Sequence, residues 1–524
     1  MWNRCLLTAV LGLGVMWSAG HVAADVKLPA VFGSHMVLQR EMPVPVWGWA
    51  EAGEEVTVSI REQSKSTVAG DDGRWKVTLE PLTVGEAATL KVTGKNELVL
   101  EDVLIGEVWV CSGQSNMQWA VSSAIDSDLE ATSGNHPMLR LFKVPQISKA
   151  EPQTDVPAEW THCTPETLPG FTAVGYYFGR QMQQSLGVPV GLIQTAWGGT
   201  RAEAWTSAEG MASRPELRPL LDKWEQDDKA YDADKANAAH AVAMTKWKAA
   251  AAAAKSAGKA VPRQPQAPSE PRLDRHHPSN LYNGMVAPLI PFAIRGAIWY
   301  QGESNASRAY QYRTLMPTMI SSWRKAWKQG DFPFYQVQLA NFRAIQAEPV
   351  ESDWAELREA QMLTIDAISN VGVACITDLG AALDIHPKNK QDVGKRLARL
   401  ALVDNHGFGD RIERNGPTYR SLDINGSKCV VHFEVGNSPL TTYYREPLKG
   451  FAIAGADKKW YWGEAKVLGK DSVEVSHPSV PEPLAVRYNW ADNPQGNLYN
   501  ALYLPAYPFR SDDWKGMTAD VVVP

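Results

Sequence analysis

Cysteine is scarce: five occur in 524 residues. Cys5 lies in the N-terminal segment, and Cys111, Cys163, Cys375 and Cys429 are scattered with no CxxC pair. That spacing argues against a zinc site, and no metal ligand set is expected. It assigns no disulfide, although an exported location would permit one. No long block of Lys and Arg occurs, and the formal net charge is -6. Nucleic acid and anionic membrane surfaces are therefore poorly matched partners. Beyond the N-terminus no apolar run reaches the roughly 20 residues of a membrane-spanning helix. There is no internal repeat, and nothing marks an obligate protein partner. The hydrophobic fraction of 44% and charged fraction of 21% belong to a packed globular chain rather than a disordered one.

What is present begins with a targeting pattern. Arg4 is the sole charge before Asp25, residues 6–17 are apolar, and Val22-Ala23-Ala24 offers a small-residue cleavage site. Residues 1–24 read as a secretory signal peptide, which implies export to the periplasm or the medium. Residues 25–100 show short alternating apolar runs divided by turn residues, such as Trp75-Lys76-Val77-Thr78-Leu79 after Asp72-Gly73, and predict an N-terminal β-sandwich. From 101 to 417 the pattern becomes α/β. Apolar strands are expected at 103–111, 189–195, 294–300, 334–339 and 371–377, with helices at 173–186, 312–328, 354–368 and 390–403. Strands alternating with helices imply a mostly parallel sheet, whose ligands gather at strand carboxyl ends. Residues 213–270, rich in Ala, Lys and Asp, read as a solvated helical insertion. Residues 418–524 return to β-like patterning, either as a separate unit or folded back onto the sheet.

The residue types that carry chemistry fall at these strand ends. The run 103–111 delivers the chain to Gly113-Gln114-Ser115-Asn116-Met117, where a helix begins. Ser115 is either a helix N-cap or a nucleophile beside free N–H groups that favour developing negative charge. Trp197-Gly198-Gly199-Thr200 is either a plain turn or a close backbone approach in which Gly199 donates to an oxyanion. In Trp299-Tyr300-Gln301-Gly302-Glu303-Ser304-Asn305, the Gln301 amide is a further candidate donor. Glu303 orients a histidine, contacts substrate, or is a buried, paired acid. In Asp384-Ile385-His386-Pro387, His386 sits in a loop before a helix with Asp384 two residues upstream. That is the division of labour of a serine hydrolase, with Asp378 as a weaker alternative for the acid.

These motifs resemble the sialate O-acetylesterase family, a branch of the SGNH hydrolases among the carbohydrate esterases. Ala202-Glu203-Ala204-Trp205, Leu281-Tyr282-Asn283-Gly284-Met285, Leu339-Ala340-Asn341-Phe342 and Arg358-Glu359-Ala360-Gln361 add to the likeness, which runs from about residue 27 to the end. The resemblance implies a flavodoxin-like three-layer core, Ser115 as nucleophile, His386 as base and Asp384 as its orienter. It further implies an oxyanion hole of the Ser115 N–H, Gly199 and Gln301. The wider SGNH pattern has asparagine where this chain has Gln301.

The expected reaction is hydrolysis of acetyl esters on sugars through an acetyl-enzyme, which needs no metal or organic cofactor. Trp119, Trp197, Trp205, Trp299 and Tyr300 flank the motifs and suit sugar faces, or fill core. Arg201 is a candidate partner for a sialic acid carboxylate. Three other readings stay open: an esterase on acetylated xylan or pectin, a carbohydrate-binding protein with a degenerate hydrolase core, and a peptidase on the same triad.

Overall fold

The computed structural model describes residues 25–523. The expected signal peptide, with Cys5, lies outside them. One long strand organises the whole. Six short strands precede it: β1 (Val37–Gln39), β2 (Val44–Trp49), β3 (Glu55–Ile60), β4 (Gln63–Val68), β5 (Arg74–Leu79) and β6 (Ala88–Thr93). The seventh, β7 (Glu97–Gly113), is 17 residues long. Its first half pairs antiparallel with β6, which pairs with β3 and through it β4. β2 and β5 pair separately. The second half of β7 enters a larger sheet. The sequence boundary at 100/101 therefore falls inside a continuous strand.

That larger sheet also holds β8 (His136–Lys143), β9 (Trp160–Cys163), β10 (Val190–Ala196), β11 (Gly296–Tyr300), β12 (Phe334–Val337) and β13 (Val371–Ala374). Its order is β13-β12-β11-β7-β10-β8-β9. Every pairing is parallel except that of β9, which runs antiparallel to β8 at the edge. The expected mostly parallel sheet is thus a mixed one, because β8 and β9 form a hairpin. Both strands went unread in the sequence.

Helices cover both faces. Along β7, Val108 and Val110 join one apolar cluster while Trp109 and Cys111 join the other. This is the two-residue alternation of a strand buried on both sides. The first cluster holds the inward residues of α7 (Ala309–Trp327) and α8 (Asp353–Ala367), and the second those of α3 (Ala173–Leu186) and α9 (Lys390–His406). The intervening short helices are α1 (Ser115–Gln118), α2 (Ser127–Thr132) and α4 (Ala208–Ala212). α5 (Arg218–Ala230) and α6 (Ala233–Ser256) make the helical insertion, with only Leu220 and Ala251 buried. Among the described residues no helix is long and apolar enough to cross a membrane. The four cysteines in them are buried and unpaired.

The C-terminal region forms two four-stranded antiparallel sheets and a two-stranded one around its own core. It is also tied back to the α/β unit. The buried Arg358 guanidinium of α8 donates to the Ala491 and Asp492 carbonyls, at 2.6 and 3.0 Å. Glu356 accepts the Met517 and Thr518 N–H groups.

The end of β7 is set by Gly113. Its φ is +139°, and a Cβ there would collide with the Tyr300 carbonyl of β11. Only glycine lets the two backbones meet so closely at this turn. Gly113→Ala is expected to cost at least roughly 1–3 kcal/mol from backbone strain alone. Denaturant titration reads this as a lower midpoint, and an unchanged midpoint would contradict it.

Candidate active site

Ser115 is the first residue of α1, where β7 stops. No side chain caps this helix, so the N-cap alternative for Ser115 fails; Gln114 holds that position. An N–H at the first helical position has no intrahelical acceptor. The Ser115 Oγ lies 2.9 Å from His386 Nε2. His386 arrives on the loop that precedes α9 and stacks on Trp119, with ring centroids 4.9 Å apart and planes 15° off parallel. Asp384 Oδ1 accepts the His386 backbone N–H at 2.9 Å and stands 3.6 Å from His386 Nδ1. The second separation is an ion-pair distance, longer than a hydrogen bond. Asp378 is committed elsewhere, to a two-pronged pair with Arg396 at 2.6 and 2.7 Å.

The loop after β10 completes the mouth. Gly198 packs on Ser115, since a Cβ there would sit 3.3 Å from the Ser115 Cβ. The Gly198 N–H donates to Gln118 Oε1 at 2.7 Å. Gly199 has φ +73°, and its carbonyl accepts the Ser304 hydroxyl at 3.0 Å. Its N–H makes no hydrogen bond among the described residues.

Two sequence expectations need correction. The Gln301 side chain is fully buried and faces inward. Its amide donates to the Thr200 carbonyl at 3.2 Å and Asn305 Oδ1 at 2.6 Å, and its Oε1 accepts from the Tyr312 hydroxyl at 2.9 Å. Both amide hydrogens are spoken for, so none points to an oxyanion beside Ser115. Gln301 instead braces the Gly199 loop through Thr200. Trp299 is also fully buried, edge-on to Trp205 and Trp323 at 5.9 and 6.2 Å. It belongs to the core under α7, as do Trp205 and Tyr300 to their clusters, and touches no substrate. Trp197 is partly buried and remains at the mouth.

Glu303 does not contact His386. It accepts from Gln114 Nε2 and Asn116 Nδ2, each at 2.6 Å, bridging the residues on either side of Ser115. Asn116, which the sequence reading passed over, also donates to the Ile385 carbonyl at 3.0 Å and accepts from Lys390 Nζ at 2.5 Å. It thus pins the His386 loop to the Ser115 turn. Lys390 was likewise missed. Burial pushes its ammonium down to about 7, opposed by the Glu303 and Asp384 charges. Burial also raises the Glu303 carboxyl above the usual carboxylate range. His386 is held below its ordinary value, first by burial and then by Lys390, with Asp384 acting the other way.

A family profile described as carbohydrate esterase, sialic acid-specific acetylesterase, matches residues 105–226 and 217–403. The chain belongs to this family. Consistent with it, a solved carbohydrate acetylesterase from Xanthomonas citri is 34% identical, with a TM-score of 0.79 over 94% of this chain and all of that one. The sialate O-acetylesterase of Homo sapiens is 26% identical over 95% of this chain and 96% of its own length. That of Rattus norvegicus is 29% identical, covering 93% and 94%. The chain is accordingly a carboxylic ester hydrolase acting on acetylated carbohydrate.

Within this esterase, the rim beside Gly199 is cationic. Arg201 is partly buried, and the Arg275 guanidinium reaches within 3.9 Å of where a Gly199 Cβ would lie. Neither makes an ion pair among the described residues. Arg275 had no sequence signal of its own, because it sits in the loop ahead of Leu281–Met285 and reaches Gly199 only through the fold.

The opposing charges on His386 generate a prediction. With His386 as the proposed base, activity on the acid side requires neutral imidazole, so the acid limb of kcat/KM follows its pKa. Lys390→Met removes a cation that lowers this pKa, and the limb should move to higher pH. Asp384→Asn removes an anion that raises it, and the limb should move to lower pH. A pH profile on an aryl acetate measures both. Shifts of the same sign would contradict the assignment.

Proposed function

We propose that this esterase removes O-acetyl groups from sialic acid through an acetyl-enzyme on Ser115. The observation that carries the reading is the 2.9 Å contact between Ser115 Oγ and His386 Nε2 at the end of β7. His386 takes the Ser115 proton as Oγ attacks the acetyl carbonyl. The tetrahedral oxyanion is held by the N–H groups of Ser115 and Gly199. His386 then returns the proton to the departing sugar oxygen. A water, activated by the same imidazole, attacks the acetyl-Ser115 ester and acetate leaves. Asp384 supports the imidazolium electrostatically, while Trp119 and the Asn116–Ile385 bond fix the ring and its loop.

The parallel strands β8-β10-β7-β11-β12-β13 have the order 2-3-1-4-5-6, and the five inside the edge strand β8 keep the order 2-1-3-4-5 among themselves. That order supports a flavodoxin-like, three-layer SGNH hydrolase core. The shared core of the N-terminal strands supports a β-sandwich ahead of it, with the C-terminal β-rich region behind. Residues 1–24 would direct export to the periplasm or medium.

Sialic acid differs from xylan in carrying a carboxylate. Arg201 and Arg275, both without an ion-pair partner among the described residues, suit that group and favour it over plant-wall esters. The engaged serine–histidine pair counts against a degenerate, binding-only core.

Acetate release from a panel of acetylated sugars tests the reading. O-acetyl sialic acid should be cleaved in preference to acetyl-xylan, and Ser115→Ala should lose at least about 10⁴-fold in kcat. Arg201→Gln should raise KM for the sialate ester and leave an uncharged aryl acetate unaffected. Preference for acetyl-xylan, or an equal effect of Arg201→Gln on both esters, would overturn the substrate assignment.

A further inference from the structure

Part-way along β7, well before Ser115, three side chains from separate segments converge. His35 precedes β1, Asp102 sits where β7 passes from one sheet to the other, and His162 lies on the edge strand β9. His35 Nδ1 is 2.9 Å from Asp102 Oδ2, His162 Nε2 is 3.2 Å from the same oxygen, and the two nitrogens are 3.1 Å apart. Arg140 of β8, which pairs across the ladder with His162, donates to that oxygen at 2.9 Å. His35 and Asp102 both hold positive φ, +70° and +53°, a backbone conformation that non-glycine residues rarely adopt without reason.

Hydrogen bonding alone does not satisfy this triangle. Each of the two nitrogens carries at most one hydrogen. If both donate to Oδ2, two N–H groups face one another across 3.1 Å. If one nitrogen accepts from the other, its lone pair faces the carboxylate oxygen. Protonating either ring only adds a donor. A cation at the centre satisfies all three edges at once. Ligand atoms about 2.0–2.2 Å from a tetrahedral zinc lie roughly 3.3 Å apart, close to the three separations seen.

We propose that His35, Asp102 and His162 bind a late first-row divalent cation of the zinc class. Two imidazoles and one carboxylate suit such an ion, and the half-exposed side chains leave room for water in a fourth position. Arg140 offsets the carboxylate charge, which disfavours hard ions such as calcium that depend on anionic oxygen. The ion clamps the segment before β1, the bend of β7 and the β8–β9 hairpin. Its role is structural, far from Ser115 along the strand.

The test uses the full mature chain, stripped of metal by chelation. Zinc titrated by calorimetry should bind one equivalent and raise the thermal midpoint, as any ligand of the folded state does. Cobalt(II) should give the visible absorption of a four-coordinate nitrogen–oxygen site, removed by zinc. His162→Gln and Asp102→Asn should each abolish both signals while leaving aryl-acetate turnover unchanged. Absence of stoichiometric binding to the unaltered chain, or binding that survives both substitutions, overturns the proposal.

Discussion

The side chain of Asn116 is the joint on which the active site depends. Its amide donates to Glu303 and to the Ile385 carbonyl, and its oxygen accepts from Lys390. Two segments that follow different strands, β11 and β13, are thereby fixed to one residue beside Ser115. The Asn116–Lys390 bond joins residues 274 apart in sequence. In a buried setting such bonds are strong, and each lost partner leaves an unsatisfied polar group. The histidine is thus held mainly from behind and from the side. Asp384, at 3.6 Å from Nδ1, adds charge more than alignment.

β7 makes that joint possible. It is an edge of the N-terminal antiparallel array and the centre of the parallel sheet, and its last residue must be glycine to pass β11. The helix that begins at once presents free N–H groups beside Ser115. The Gln301–Asn305–Glu203–Arg308 network, buried throughout, secures the neighbouring Gly199 loop. One set of buried polar contacts thus holds the His386 loop, and a second holds the Gly199 loop.

Much of this was legible in the chain. The strand-to-Ser115 turn, the bounds of α3 and the loop before α9 follow from apolar period and turn residues. What escaped reading did so for physical reasons. Strands buried on both faces show no polar alternation, so Trp299 and Gln301 looked the same whether they pointed to the mouth or to the core. The β8–β9 hairpin carries Pro137, Arg140 and His162 among its apolar residues and ends in a four-residue edge strand, too short for a periodic signal. Asn116, Lys390 and Arg275 matter only through contacts that the fold creates.

The central claim is that Ser115 is the nucleophile and that His386 activates it. The most direct measurement is labelling by a fluorophosphonate, followed by peptide mass spectrometry. The account predicts one adduct per chain, on the peptide at Ser115, formed far more slowly in His386→Ala. An adduct on another residue, or labelling of Ser115 at full rate without His386, would contradict it.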